Sequence, residues 1–138
     1  RAGLADLDSV FDFSLPTHAE SWSEEGFAYD ASGCQTECSW FGFMLRVRPD
    51  APFSKTELAA HLDSHRIGNR MLFGGNLLRQ PAFVQQMLDD PESMRVEGEM
   101  TGADVLMNEA IFVGTYPGLS RQQLEYMVSV IRKFADKQ

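Results

Sequence analysis

The sequence predicts an α+β domain in which a small, mainly antiparallel sheet is covered on one face by helices, and three features predict it. Three strand-length stretches stand out, residues 40–48 by their alternation of apolar and polar side chains, and residues 67–73 and 111–116 by the glycine and proline turns that follow them. Two capping boxes, Ser54 with Glu57 and Ser120 with Gln123, each open a run with helical periodicity. From Trp40 onward the elements then follow as strand, helix, strand, helix, helix, strand, helix, an order read as a small sheet covered on one face by helices.

Taken in order, residues 1–39 form an acidic, loop-rich lead-in and residues 40–138 the domain proper. In the lead-in, Phe11, Phe13 and Leu15 alternate with Asp12 and Ser14, giving a short strand that ends at Pro16, and residues 17–38 read as a long loop. Phe41, Phe43, Leu45 and Val47 then put one apolar face on a strand that stops at Pro49. Ser54 caps a helix that Leu58 and Leu62 carry to about His65. Residues 67–73 make a second strand, running into Gly74 and Gly75. Pro81 suits the first turn of a helix, where no amide donor is needed, with Phe83, Val84, Met87 and Leu88 as its buried side and an end before Pro91. Residues 94–100 alternate weakly and read as an edge strand, and Thr101 and Asp104 cap a helix over residues 103–110. A third strand over residues 111–116 closes at Pro117 and Gly118. The last helix buries Leu124, Met127, Val128, Ile131 and Phe134.

At 138 residues, with 43% hydrophobic and 23% charged side chains, the composition is that of a soluble globular chain able to build its own core. No apolar run approaches the roughly 20 residues that span a bilayer, no secretory leader pattern opens the chain, and two cysteines do not make a disulfide framework; a cytoplasmic location is expected. Arg1 in place of an initiating methionine suggests a piece of a longer chain or a processed form. A pI near 4.7 argues against nucleic-acid binding, which needs a broad basic surface.

Charge is nonetheless uneven. Residues 1–40 carry one basic and eight acidic side chains, residues 41–80 carry six and three, and residues 81–138 carry five and nine, so a net +3 island sits between stretches of −7 and −4. Within that island the stretch RIGNRMLFGGNLLRQPAF, residues 66–83, gathers three arginines, two asparagines and a glycine pair. A locally positive segment in an acidic protein favours an anionic partner. Arg70 and Arg79 offer planar forks for a phosphate or sugar hydroxyl, and Asn76 both donates and accepts in the same loop. The other account of these side chains is pairing with the chain's own carboxylates.

Other constellations say less. His61 and His65 lie four apart on a helix, but Leu62 stands where a zinc protease needs glutamate, so a solvated helix face is the reading. Cys34 and Cys38 have no second cysteine pair to complete a zinc or iron–sulfur site. Neither a phosphate-loop pattern nor a dinucleotide fingerprint surrounds Gly74 and Gly75, and no nucleophile elbow occurs. No catalytic or cofactor-binding residue and no metal ligand is therefore assigned.

WFGF at residues 40–43, RVRPDAPFSKTEL at 46–58, the stretch at 66–83 and MNEAIFVGTYPGLS at 107–120 stand in an order and spacing similar to the carboxy-terminal part of the DegT/DnrJ/EryC1/StrS sugar aminotransferases and dehydrases. Within that group the chain most resembles the nucleotide-sugar 3-dehydrases of lipopolysaccharide biosynthesis, in particular those acting on CDP-4-keto-6-deoxyglucose, over residues 40–131. The resemblance implies the small domain of a fold type I pyridoxal-phosphate enzyme, closing over a nucleotide-sugar substrate against a large domain of the same chain, in a homodimer. In such dehydrases pyridoxamine phosphate condenses with a 4-keto sugar and acts as electron sink for loss of the C3 hydroxyl, with a histidine replacing the Schiff-base lysine. Some members add an iron–sulfur centre, which the resemblance does not place in this segment, and a reductase partner. The implied substrate-facing segment is residues 70–80, with Arg70, Asn76 and Arg79 as contacts and none of them a catalytic base; His18, His61 and His65 are not assigned to the catalytic role. A sugar aminotransferase of the same group, and an autonomous module for an anionic ligand or a protein partner, are the alternatives.

Overall fold

The computed structural model describes residues 2–13, 19–23, 26–29 and 40–137, with side chains for residues 3–13 and 40–137. Its strands are β1 (Phe11–Asp12), β2 (Ala19–Ser23), β3 (Gly26–Tyr29), β4 (Gly42–Val47), β5 (Asn69–Met71) and β6 (Ala110–Gly114). Its α-helices are α1 (Lys55–Ser64), α2 (Pro81–Asp89), α3 (Thr101–Glu109) and α4 (Arg121–Ala135).

β1, β4, β6 and β5 lie side by side in that order, each pair antiparallel. The central register sets Leu45 opposite Ile111 and Phe43 opposite Val113. Because side chains alternate between faces, Phe43, Leu45, Val47, Ile111 and Val113 share one side of the sheet. There they meet Leu58, Ala59 and Leu62 of α1 and Val130, Ile131 and Phe134 of α4, with Leu4, Leu7, Phe11, Phe53 and Ile67 completing the core. The predicted α+β architecture, an antiparallel sheet with helices over one face, is what forms.

Both capping boxes are made: Ser54 and Ser120 accept from the backbone of Glu57 and Gln123, whose side chains return to the cap amides. The end of α1 is a Schellman turn, in which Arg66 N–H donates to the Asp63 carbonyl and Ile67 N–H to the Leu62 carbonyl. The position that normally takes glycine is Arg66, at φ 59°. Ile67 and Leu62, the apolar pair that seals such a turn, are both core residues. Asn69 then ties β5 to α1, its Nδ2 donating to Asp63 Oδ1 at 2.9 Å and to the Ala59 carbonyl at 3.3 Å.

Several expectations are corrected. Residues 17–38 are not one long loop, since β2 and β3 pair as an antiparallel hairpin carrying Trp22, Phe27 and Tyr29; aromatic residues favour strands, but runs this short hide the alternation. Residues 14–16, and with them the end of the predicted first strand, lie outside the described residues, as do Cys34 and Cys38. β5 is shorter than the predicted 67–73, because positive φ at Arg66 and Phe73 turns the chain on either side of it. Residues 94–100 form no strand: Gly98 at φ 77° and Met100 at φ 55° break any extended run. α3 begins at Thr101 without a side-chain cap, Asp104 being engaged elsewhere. α2 spans the predicted residues but buries none of them, and Leu88 is 72% exposed, because the helix lies beside the core rather than on it. In α4 Val130 takes a core place and Leu124 is exposed.

Candidate functional site

The polar stretch after β5 folds as a braced loop. Phe73 and Gly75 both adopt positive φ, at 47° and 62°. Gly75 is required on a second ground, since a Cβ there would lie 2.6 Å from Cγ of Met107 in α3. Asn76 caps a 3₁₀ turn over Leu77–Arg79 by accepting from Leu78 N–H at 3.1 Å, and Gln80 donates to the Gly74 carbonyl at 2.7 Å before Pro81 starts α2. Lys55 Nζ donates to the carbonyl of the same Met107, so α1, α3 and the loop are linked.

Asn76 is 3% exposed, and its Nδ2 donates to Asp104 Oδ1 at 2.8 Å. Arg79 is at the surface and grips the same carboxylate with two bonds, Nε to Oδ1 at 3.1 Å and Nη2 to Oδ2 at 3.0 Å. The Arg79 guanidinium first, and the Asn76 amide second, hold the Asp104 carboxyl below the usual carboxylate range. Arg70 is exposed, donates from Nη1 to the Asn69 carbonyl at 2.7 Å, and forms no ion pair among the described residues. The fold thus joins Asn76 to Arg79 through one acid and sets Arg70 apart on the sheet. Asp104 was not legible as a site residue: it stands 28 and 25 positions from its partners, and its local setting is that of a helix cap.

Arg70 pairs in register with Phe112, which pairs with Met44, so these three share the sheet face opposite the core. The ring of Phe112 crosses Gly42, where a Cβ would lie 2.6 Å away. Phe41, predicted to face the core with Phe43, instead packs on Phe112 at a centroid distance of 5.3 Å and stacks on Phe73 at 5.9 Å. Phe41 is 68% and Phe73 76% exposed, and Met71 and Leu77 are exposed nearby in the chain. Isolated exposed apolar residues are ordinary, but a cluster of aromatic rings marks a surface made to be covered.

A hollow of about 370 Å³ lies between the start of α1 and the end of α3, with Phe53, Lys55, Glu57 and Glu109 in its lining. Its charges are answered internally: Glu57 caps α1, Glu109 pairs with Arg46 at 2.8 Å and Lys55 holds the Met107 carbonyl. The rings of His61 and His65 lie 4.2 Å apart, tilted by 40°, and His61 also meets Phe134 at 4.7 Å, at the seam of α1 and α4. His65 Nδ1 lies 2.8 Å from the His61 carbonyl, and no group of three metal-binding side chains forms among the described residues.

Residues 18–132 match the model of the DegT/DnrJ/EryC1/StrS aminotransferase family. The chain is 34% identical to the lipopolysaccharide biosynthesis protein RfbH of Salmonella typhimurium, an alignment covering 96% of this chain and 31% of that protein. It is 38% identical to the dTDP-4-dehydro-2,6-dideoxy-D-glucose 3-dehydratase of Saccharopolyspora spinosa, over 72% of this chain and 20% of the relative. Among solved structures, the E. coli GDP-4-keto-6-deoxy-D-mannose-3-dehydratase with bound hydrated PLP superposes with a TM-score of 0.64 at 21% identity, covering 94% of this chain and 28% of that one, a likeness of fold. The chain spans less than a third of the length of each of these proteins.

Proposed function

Since the chain belongs to the DegT/DnrJ/EryC1/StrS aminotransferase family, we propose that it is the carboxy-terminal small domain of a PLP- or PMP-dependent nucleotide-sugar 3-dehydrase. Its substrate would be a 4-keto-6-deoxyhexose of deoxysugar or lipopolysaccharide O-antigen biosynthesis, to which the domain contributes contacts and not the catalytic base. The observation that carries this reading is the RfbH match, which takes in 96% of this chain but 31% of the relative. The dehydratase named in the second alignment supports the reaction class. The exposed Phe41 and Phe73 rings, packed on half-buried Phe112, support a larger body seated on the sheet, and we place the large domain of the same polypeptide there. A homodimer is proposed with it.

A pyridine-ring cofactor needs an acid at its ring nitrogen and donors around its phosphate. Around the loop the acids are already committed, Asp104 to Arg79 and Asn76, Asp63 to Asn69 and Glu109 to Arg46. With those acids paired among the described residues, the part we assign to the domain is binding and orienting the sugar nucleotide. Of the three predicted contacts, Arg70 and Arg79 are the proposed substrate-facing pair, whose guanidinium groups meet the phosphates or sugar hydroxyls, while Asn76, buried and bonded to Asp104 and Leu78, shapes the loop that carries Arg79.

Titrating the full-length polypeptide with pyridoxamine phosphate and a CDP- or GDP-linked 4-keto-6-deoxyhexose tests the reading. A change in the cofactor absorbance with loss of the C3 hydroxyl is expected. An amino sugar as product would instead favour a transaminase of the same family, and no spectral change would overturn both. Arg70→Ala or Arg79→Ala is expected to weaken sugar-nucleotide affinity about tenfold, the loss of about 1.4 kcal/mol of binding; unchanged affinity would remove these two residues from the site.

A further inference from the structure

We infer that Asp104 is a positioning residue for the ligand-facing loop, fixing Arg79 by one edge of its guanidinium so that the opposite edge meets the anionic part of a sugar nucleotide. The inference rests on the function proposed above. Nothing in the family match or in the relatives' names assigns this carboxylate a role.

The geometry is specific. A guanidinium carries five N–H donors in a rigid plane, and carboxylates match it best two bonds at a time. Asp104 takes the Nε and Nη2 edge, which leaves Nη1 without a partner among the described residues. Oδ1 of the same acid also accepts from Asn76 Nδ2, so one carboxylate sets both the direction of Arg79 and the start of the 3₁₀ turn that carries it. Asp104 is itself held, because α3 meets Gly75 through Met107 and α1 holds the Met107 carbonyl through Lys55.

Magnitude distinguishes positioning from mere stabilisation. The Arg79 side chain is 63% exposed, and an ion pair with so exposed a partner adds little to folding. A bidentate grip does remove rotamer freedom from a long side chain, and a ligand meeting an arginine already in place does not have to order it.

Full-length Asp104→Ala, Asp104→Asn, Arg79→Ala and the Arg79→Ala/Asp104→Ala pair would be compared with the unaltered protein. Affinity and KM for a CDP-linked 4-keto-6-deoxyhexose would be read with pyridoxamine phosphate present. The expected result is a KM about tenfold higher for Asp104→Ala, with kcat within about twofold. Asp104→Asn, which keeps an acceptor for Asn76, is expected to fall between. With Arg79 already removed, loss of Asp104 is expected to add almost nothing, a non-additivity that general loosening of the fold would not produce. Unchanged KM in Asp104→Ala, or an equal further loss in the Arg79→Ala background, would overturn the inference while leaving the proposed function standing. If the unaltered protein binds no nucleotide sugar, the proposed function falls and this inference falls with it.

Discussion

His61 occupies a half-buried seat, with its Nε2 inside, that suits a neutral ring better than a charged one. Among the described residues its Nε2 is buried without a hydrogen-bond partner, and rings of His65 and Phe134 lie against it. Burial first, then the charge of His65, hold its pKa below that of an ordinary imidazole; Lys137 adds to this and the Val130 backbone opposes it. A folded pKa below the unfolded one means that the unfolded chain binds the proton more readily. The associated stability is therefore complete above the unfolded value, about 6.5, and is lost as pH falls below it. The urea midpoint is expected to drop between about pH 7.5 and pH 5.5, and His61→Phe to flatten that dependence; an equal drop in the variant would remove His61 as its source. Asp6, Glu57 and Asp104, whose pKa values are lowered, act in a separate window below about pH 4. At Gly75, alanine would meet both a left-handed backbone and the Met107 side chain, so Gly75→Ala is expected to cost at least about 2 kcal/mol in chemical denaturation. At this scale the sequence displayed which residues of the loop were unusual. It did not display their partner, because nothing local to Asp104 separates a helix cap from a long-range acceptor.

Among the elements, those whose pattern is dictated by burial on one face were legible and those at the margin were not. β4, β6, α1 and α4 all line the core, and their periodicity and caps located them. α2 was located by Pro81, but its apolar residues predicted a burial that the described residues do not provide. The contrast is measurable: Leu88→Gln is expected to shift folding stability by no more than about 0.5 kcal/mol, whereas Leu62→Ala, in a fully buried seat, is expected to cost about 2–5 kcal/mol. The end of α1 offers a change of opposite sign. Arg66 holds the left-handed position of a Schellman turn, so Arg66→Gly is expected to stabilise the chain by about 1 kcal/mol in the same assay. A loss of stability would show that the Arg66 side chain makes up for its backbone.

For the molecule as a whole, the family was legible before the fold was known, because four strings in fixed order are more specific than any one of them. The uncovered side of the sheet was not, since Phe41 continues the alternation of the core strand and only its ring packing on Phe112 and Phe73 reveals that it turns outward. If the large domain seats there, amide hydrogen exchange at Phe41 and across residues 71–73 is expected to be slower in the full-length protein than in this chain alone. Equal exchange would put the large domain elsewhere.

Phe73 combines a bulky ring, a solvent-facing position and a backbone conformation that non-glycine residues avoid. Freed from its neighbours, the chain would be more comfortable with glycine there, by about 1 kcal/mol. A side chain retained against its own segment's preference is preorganised for something outside that segment: trimming it should make the separated piece sturdier and the assembled protein looser.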